Sequence, residues 1–243
     1  MPGYLLKQER IAIAGVDDLI IRSLLDRQQF SDPHGAALRA GISSATWPLF
    51  GLLWPSGAQL AARIALRPVT AGERILEIGC GLALASLVAH RRGADVTASD
   101  NHPLAGSFLA ENLRLNGLAP MKYRHGDWAS HERAAAGPDD VPLPCAVHGS
   151  FELVIGSDLL YERDSNGDLA SFIGRHCAPS CEVWIVDPDR SNRSAFSQRM
   201  TGAGFALREE RLDTLAALDI AAYKGRLLVY TRSTRSLKSP APG

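Results

Sequence analysis

From residue 58 onward, short apolar runs alternate with longer stretches in which apolar positions recur at helical spacing. The runs predict strands over 74–78, 94–99, 151–157 and 182–186, each too short for a helix and bounded by glycine, proline or charge, and 121–125 reads as a further short strand despite its basic residues. The stretches between them predict helices over 58–66, 82–90, 101–116, 166–176 and 194–201, with stops at Gly117, Gly202 and Gly204. Segments 205–210 and 225–231 predict a closing antiparallel pair. Strands that mostly alternate with helices predict an α/β fold with a largely parallel sheet flanked by helices.

The first 57 residues follow no such rhythm and read as an N-terminal extension. Segment 10–14 has strand character, 15–18 is a turn, and 18–25 fits a short helix or a strand equally well. Asp32-Pro33-His34-Gly35 breaks the chain. The run Trp47-Pro48-Leu49-Phe50-Gly51-Leu52-Leu53-Trp54-Pro55 is either a cover over a sheet edge or a lid over a pocket. Ser56 or Gly57 then opens the helix over 58–66. Residues 130–149 read as a long surface loop and 233–243 as a disordered tail. The chain thus divides into an extension and lid (1–57), one α/β domain (58–232) and a tail (233–243).

Charge changes the picture by exclusion. The 26 basic and 26 acidic residues cancel, which argues against broad nucleic-acid binding. Cys177 and Cys181 stand one residue too far apart for a Cys-x-x-Cys pair and lack a second ligand pair for zinc, so all four cysteines read as reduced thiols. His131 and His148 have no evident metal partners. With no membrane-length apolar run and no signal-peptide pattern, the expectation is a cytoplasmic, monomeric protein without metal.

The chemistry concentrates at the strand ends. Arg74 to Ile78 runs into Gly79-Cys80-Gly81 and then a helix, a strand–turn–helix unit suited to a nucleotide-like ligand. Asp100 ends the next strand, 21 residues after Gly79, where a carboxylate can accept hydrogen bonds from ribose hydroxyls. Leu84 occupies the place of the third glycine of a dinucleotide site, and Glu77 would repel a pyrophosphate, so NAD fits poorly. S-adenosylmethionine, with its cationic methionine end, fits better. Asp127 and Trp128 at the third strand end suit adenine, by hydrogen bond and by stacking. Asp158 and Tyr161 follow the fourth strand, where a carboxylate and an aromatic wall suit a cationic head. Arg190 has two readings, an ion pair with Asp187 or Asp189, or contact with a protein substrate.

Glu77-Ile78-Gly79-Cys80-Gly81 with Asp100 resembles motif I and the following acidic position of class I S-adenosylmethionine-dependent methyltransferases. Trp54-Pro55-Ser56-Gly57, Asp158-Leu159-Leu160-Tyr161 and Asp187-Pro188-Asp189-Arg190 narrow the resemblance to the seven-strand protein lysine methyltransferases. The nearest branch methylates the electron-transfer flavoprotein beta subunit. Ala83 stands where that family usually has a third glycine. The resemblance covers roughly residues 45 to 232 and implies a Rossmann-like seven-stranded sheet. It also implies S-adenosylmethionine as cofactor, S-adenosylhomocysteine as product, and a protein substrate with an exposed lysine. The cofactor-binding set is then Trp54, Glu77, Gly79, Cys80, Gly81, Asp100, Asn101, Asp127, Trp128 and Ser157. Asp158 and Tyr161 face the acceptor. Asn101 contacts the ribose or caps its helix, and Asn112 is structural. A small-molecule N- or O-methyltransferase and a non-catalytic cofactor-binding protein remain as alternatives. One conflict stays open: desolvation beside Trp54 and Tyr161 favours a neutral lysine amine, whereas Asp158 opposes it.

Overall fold

The computed structural model describes residues 3–129, 146–161, 164, 166–214 and 222–233. His131, most of the loop expected over 130–149 and nearly all of the expected tail lie outside them.

The chain opens with a hairpin, β1 (Leu6–Ile11) and β2 (Leu19–Leu24), paired antiparallel. This settles 18–25 as strand. A short helix α1 (Ala36–Arg39) and a 3-10 turn over Trp47–Gly51 lead into α2 (Pro55–Leu66). That helix starts earlier than expected because Pro55 takes its first position, where a fixed φ helps and a missing N–H costs nothing. Then follow β3 (Arg74–Glu77), α3 (Leu84–Arg91), β4 (Asp95–Asp100), α4 (Ala105–Leu115) and β5 (Lys122–His125). The second half contains β6 (Phe151–Ser157), a 3-10 turn over Leu159–Tyr161, α5 (Asp168–His176), β7 (Cys177–Asp187), α6 (Arg193–Gly202), β8 (Ala206–Arg211) and β9 (Arg226–Arg232).

Seven strands form one sheet in the order β5-β4-β3-β6-β7-β9-β8. The pairings among β5, β4, β3, β6 and β7 are parallel, and β9 runs antiparallel to both neighbours. This is the Rossmann-like class I methyltransferase sheet, preceded by a hairpin. The order reverses between β3 and β6, so a crevice opens at their carboxyl ends. Alternation along β3 splits the core: Ile75 belongs to the cluster that holds Leu60, Leu87 and Phe108, and Leu76 to the one that holds Phe172, Phe196 and Tyr230. Both side chains are nearly solvent-free, as a two-sided parallel sheet requires.

The hairpin is held to α4 by two amides. Asn112 Oδ1 accepts from Arg22 N at 2.8 Å, and Asn116 Oδ1 accepts from Ile20 N at 2.9 Å while its Nδ2 donates to Ile20 O at 2.7 Å. Residues i and i+4 of a helix rise about 6 Å, close to the roughly 6.7 Å between i and i+2 of a strand, so the two amides meet alternate residues of β2. In β7, three residues bulge out between Cys177 and Cys181, shifting the register against β6. The bulge brings the two sulfurs to 2.7 Å, a proximity that the linear spacing does not suggest.

Candidate functional site

A cavity of about 560 Å³ opens at the carboxyl ends of β3, β4 and β6, a volume in the range of small-molecule sites. It is lined by Trp54, Glu77, Gly79, Cys80, Gly81, Asp100, Asn101, Trp128, Ser157, Asp158 and Tyr161, all of which the sequence nominated. Asp127 is not among the lining residues; its Oδ1 accepts from Ala129 N at 3.0 Å, within its own turn.

The glycine turn is demanding. Gly79 and Gly81 have φ of 55° and 50°, and a Cβ on Gly81 would stand 2.9 Å from the Phe50 carbonyl oxygen. Ala83 also adopts the left-handed conformation, at φ 58°. That conformation disfavours any L side chain, so more than size favours glycine there. Glu77, only 3% exposed, accepts from the backbone N–H of Ser86 in the first turn of α3 at 2.9 Å. The helix start is thus partly occupied by the chain's own carboxyl. Burial pushes Glu77 up to about 7. Asp100 is fixed by two backbone donors, Gly81 N at 2.8 Å and His102 N at 2.8 Å, one on each oxygen. Each oxygen retains a lone pair for a further donor. Burial raises its proton affinity as well. The Cys80 thiol is pushed well up by burial, with Asp100 and Glu77 adding to the effect, so it stays protonated.

Asn101 does not cap α4. Its Nδ2 donates to Ala40 O at 3.2 Å, and the helix begins only at Ala105. His102 stacks on Phe50 with ring centroids 3.6 Å apart, and its Nδ1 accepts from Leu104 N at 3.1 Å. Burial drives this imidazole down to about 3, so it stays neutral. The Trp47–Pro55 run divides between the core and the cavity wall. Trp47 is buried among Tyr4, Phe30, Phe50 and His102, whereas Leu49, Phe50, Leu52 and Trp54 line the cavity. Trp54 donates to Leu49 O at 2.9 Å, and the Arg27 guanidinium lies 4.9 Å from its ring centroid. Nothing local in the sequence signalled Arg27, which reaches the site only through the hairpin fold.

Asp158 sits at φ 56°, a left-handed position uncommon for a side-chain-bearing residue. Arg190 Nη2 donates to its Oδ1 at 2.8 Å. The expected ion pair with Asp187 or Asp189 does not form: the guanidinium turns to Asp158, and only the backbone N of Arg190 bonds Asp187, at 2.7 Å. Asp189 instead accepts from Arg193, Arg211 and Arg226. Tyr161 is 47% exposed at the rim. Five buried polar atoms without a hydrogen-bond partner among the described residues belong to cavity-lining side chains: Asn101 Oδ1, His102 Nε2, Trp128 Nε1, Asp158 Oδ2 and Arg190 Nε. Unsatisfied groups gathered at one cavity are the mark of a polar ligand's site. Three carboxyls in its lining disfavour a pyrophosphate and fit a ligand with cationic and hydroxyl groups. The residues present therefore fit S-adenosylmethionine.

A family model described as lysine methyltransferase matches residues 51–202. The chain belongs to this family. The electron transfer flavoprotein beta subunit lysine methyltransferase of Xenopus laevis is 26% identical over 151 residues, 61% of this chain and 55% of that protein. The calmodulin-lysine N-methyltransferase of Arabidopsis thaliana is 26% identical over 127 residues, 49% of this chain and 38% of that one. The chain thus spans about half the length, or less, of these curated relatives. Among solved structures, a magnesium protoporphyrin IX methyltransferase from Synechocystis PCC 6803 with bound S-adenosylmethionine superposes with a TM-score of 0.54 at 16% identity, covering 73% of this chain and 78% of that one. This likeness supports the shared fold. No group of three or more metal-ligating side chains occurs among the described residues, and no described helix is long and apolar enough to cross a membrane.

Proposed function

We propose that the protein is an S-adenosylmethionine-dependent N-methyltransferase acting on lysine side chains of a protein substrate, with the electron transfer flavoprotein beta subunit as the first acceptor to test. The observation that carries the reading is a cavity at the sheet's switch point with Glu77, Asp100 and Trp128 on its wall and Asp158 and Tyr161 near its rim. The family and the names of the relatives favour lysine.

When bound, S-adenosylmethionine would supply an electrophilic sulfonium methyl for a neutral amine, with S-adenosylhomocysteine, a neutral thioether, as the leaving group. Glu77 and the Gly79–Gly81 turn would hold the methionine end, Asp100 the ribose, and Trp128 the adenine. Asp158 Oδ2 accepts a hydrogen bond from the attacking amine, and Tyr161 and Trp54 wall off water. Orientation and a preorganised charge are the protein's main contributions. The amine gives its proton to solvent before closure.

Incubating the protein with labelled S-adenosylmethionine, the beta subunit and a cell lysate tests the reading. Label on lysine is expected, and label confined to small molecules would refute the protein-substrate reading. Calorimetry of Asp100→Ala should show at least tenfold weaker cofactor binding, about 1.4 kcal/mol. Tighter binding of NADH than of S-adenosylmethionine would refute the cofactor.

A further inference from the structure

We infer that Arg190 is a positioning residue that sets the protonation of the acceptor amine by balancing the charge of Asp158. The inference rests on the methyl-transfer reading above. Only a neutral amine can attack, yet a bare carboxylate beside it would favour the ammonium. The ion pair removes much of that opposition. One Asp158 oxygen is held by Arg190 at 2.8 Å, and the other is buried without a hydrogen-bond partner among the described residues. The Asp158 side chain is 10% exposed and the Arg190 side chain 32%, so the pair is only partly screened by solvent. Both residues line the cavity with Tyr161 and Trp54. The acceptor would thus meet an oriented hydrogen-bond acceptor whose charge is already opposed.

The surroundings leave this work to Arg190. Asp187, fully buried at the end of β7, accepts the Arg190 backbone N–H at 2.7 Å. Arg193, Arg211 and Arg226 are drawn away to Asp189. Tyr223, before β9, bonds Ser56 at 2.9 Å, and burial keeps its hydroxyl protonated. Glu77 and Asp100 lie elsewhere on the cavity wall and are engaged by backbone donors, and Arg27 stands over Trp54. Arg190 is therefore the cation paired with the carboxylate assigned to the amine. Its backbone tie to Asp187 fixes where that cation stands.

The test is single-turnover methylation from pH 7 to 10.5 by wild type, Arg190→Gln, Arg190→Lys and Asp158→Asn. The beta subunit is the first acceptor and whole-lysate protein the second. Arg190→Gln should move the rate's apparent pKa up by about one unit, a tenfold loss on the acidic limb that vanishes at high pH. Arg190→Lys should keep the wild-type position. Asp158→Asn should move it down, whatever its plateau rate. A second readout needs no turnover: an acceptor carrying a 13C-monomethyl lysine, bound with S-adenosylhomocysteine, should titrate higher with Arg190→Gln than with wild type. If Arg190→Gln does not fold, the Asp158→Asn shift decides. A loss equal at every pH, or profiles that coincide, would overturn the assignment and leave methyl transfer intact. A wild-type protein that labels no protein acceptor overturns the methyl-transfer reading and this inference with it.

Discussion

His102 and Glu77 should impose opposite pH dependences on stability that hide each other in the wild-type protein. Both side chains are 3% exposed. Burial holds His102 at about 3 against an unfolded value of 6.5. Below pH 6.5 the unfolded chain therefore binds a proton that the folded chain refuses, and stability falls with falling pH by about 1.36 kcal/mol per unit. Glu77 is raised to about 7 from 4.5, so the folded chain keeps a proton that the unfolded one has lost. Its contribution is present below pH 4.5 and falls as pH rises toward 7, with the same slope and opposite sign. Between pH 5.0 and 6.5 each effect amounts to about 2 kcal/mol. Single substitutions separate them. His102→Asn keeps an acceptor for Leu104 N, and Glu77→Gln keeps one for Ser86 N, while neither titrates. Urea unfolding followed by tryptophan fluorescence gives the assay. Wild-type stability minus that of His102→Asn should rise by about 2 kcal/mol from pH 5.0 to 6.5, and wild type minus Glu77→Gln should fall by about 2 kcal/mol. A His102→Asn difference that is flat with pH would refute the buried neutral imidazole.

Gly81→Ala should lower stability by about 1–3 kcal/mol and weaken cofactor binding, because the new methyl meets the Phe50 carbonyl in a left-handed turn; an unchanged melting temperature would contradict the close approach. Asn112→Ala should cost about 1–3 kcal/mol and speed hydrogen exchange at Arg22 N, and unchanged exchange there would show that the amide clamp does not hold β2. Trp128→Ala should weaken adenosine binding about five- to a hundredfold in competition titrations, as lost base stacking would; equal affinity would make the ring a purely structural one.

What the sequence made legible was local. The central strands β3 and β6 could be read directly because a two-sided parallel strand is mostly apolar, and an acidic residue stands at or just past the end of each. The undecided 18–25 segment failed that test for a physical reason. One face is buried at Leu19, Ile21 and Ser23, while the other carries half-buried Ile20 and Arg22 and buried Leu24, so the period-2 signal is blurred. The partners that fix it, Asn112 and Asn116, lie some ninety residues away. Arg190 shows the same limit in the site. Nearness along the chain offered Asp187 and Asp189, but the sheet sets the end of β7 beside the end of β6, and the guanidinium crosses to Asp158, 32 residues away. The left-handed turn at Asp158 carries no glycine to announce it. Cys177 and Cys181 were spaced too far apart until a bulge folded the chain between them. The residues that bear chemistry are therefore visible one at a time in the sequence, and their charge state is not. Asp158 alone reads as an anion waiting for a cation; with Arg190 across the gap it becomes half of an ion pair with one oxygen to spare, and the electrostatics of that corner of the cavity change with it.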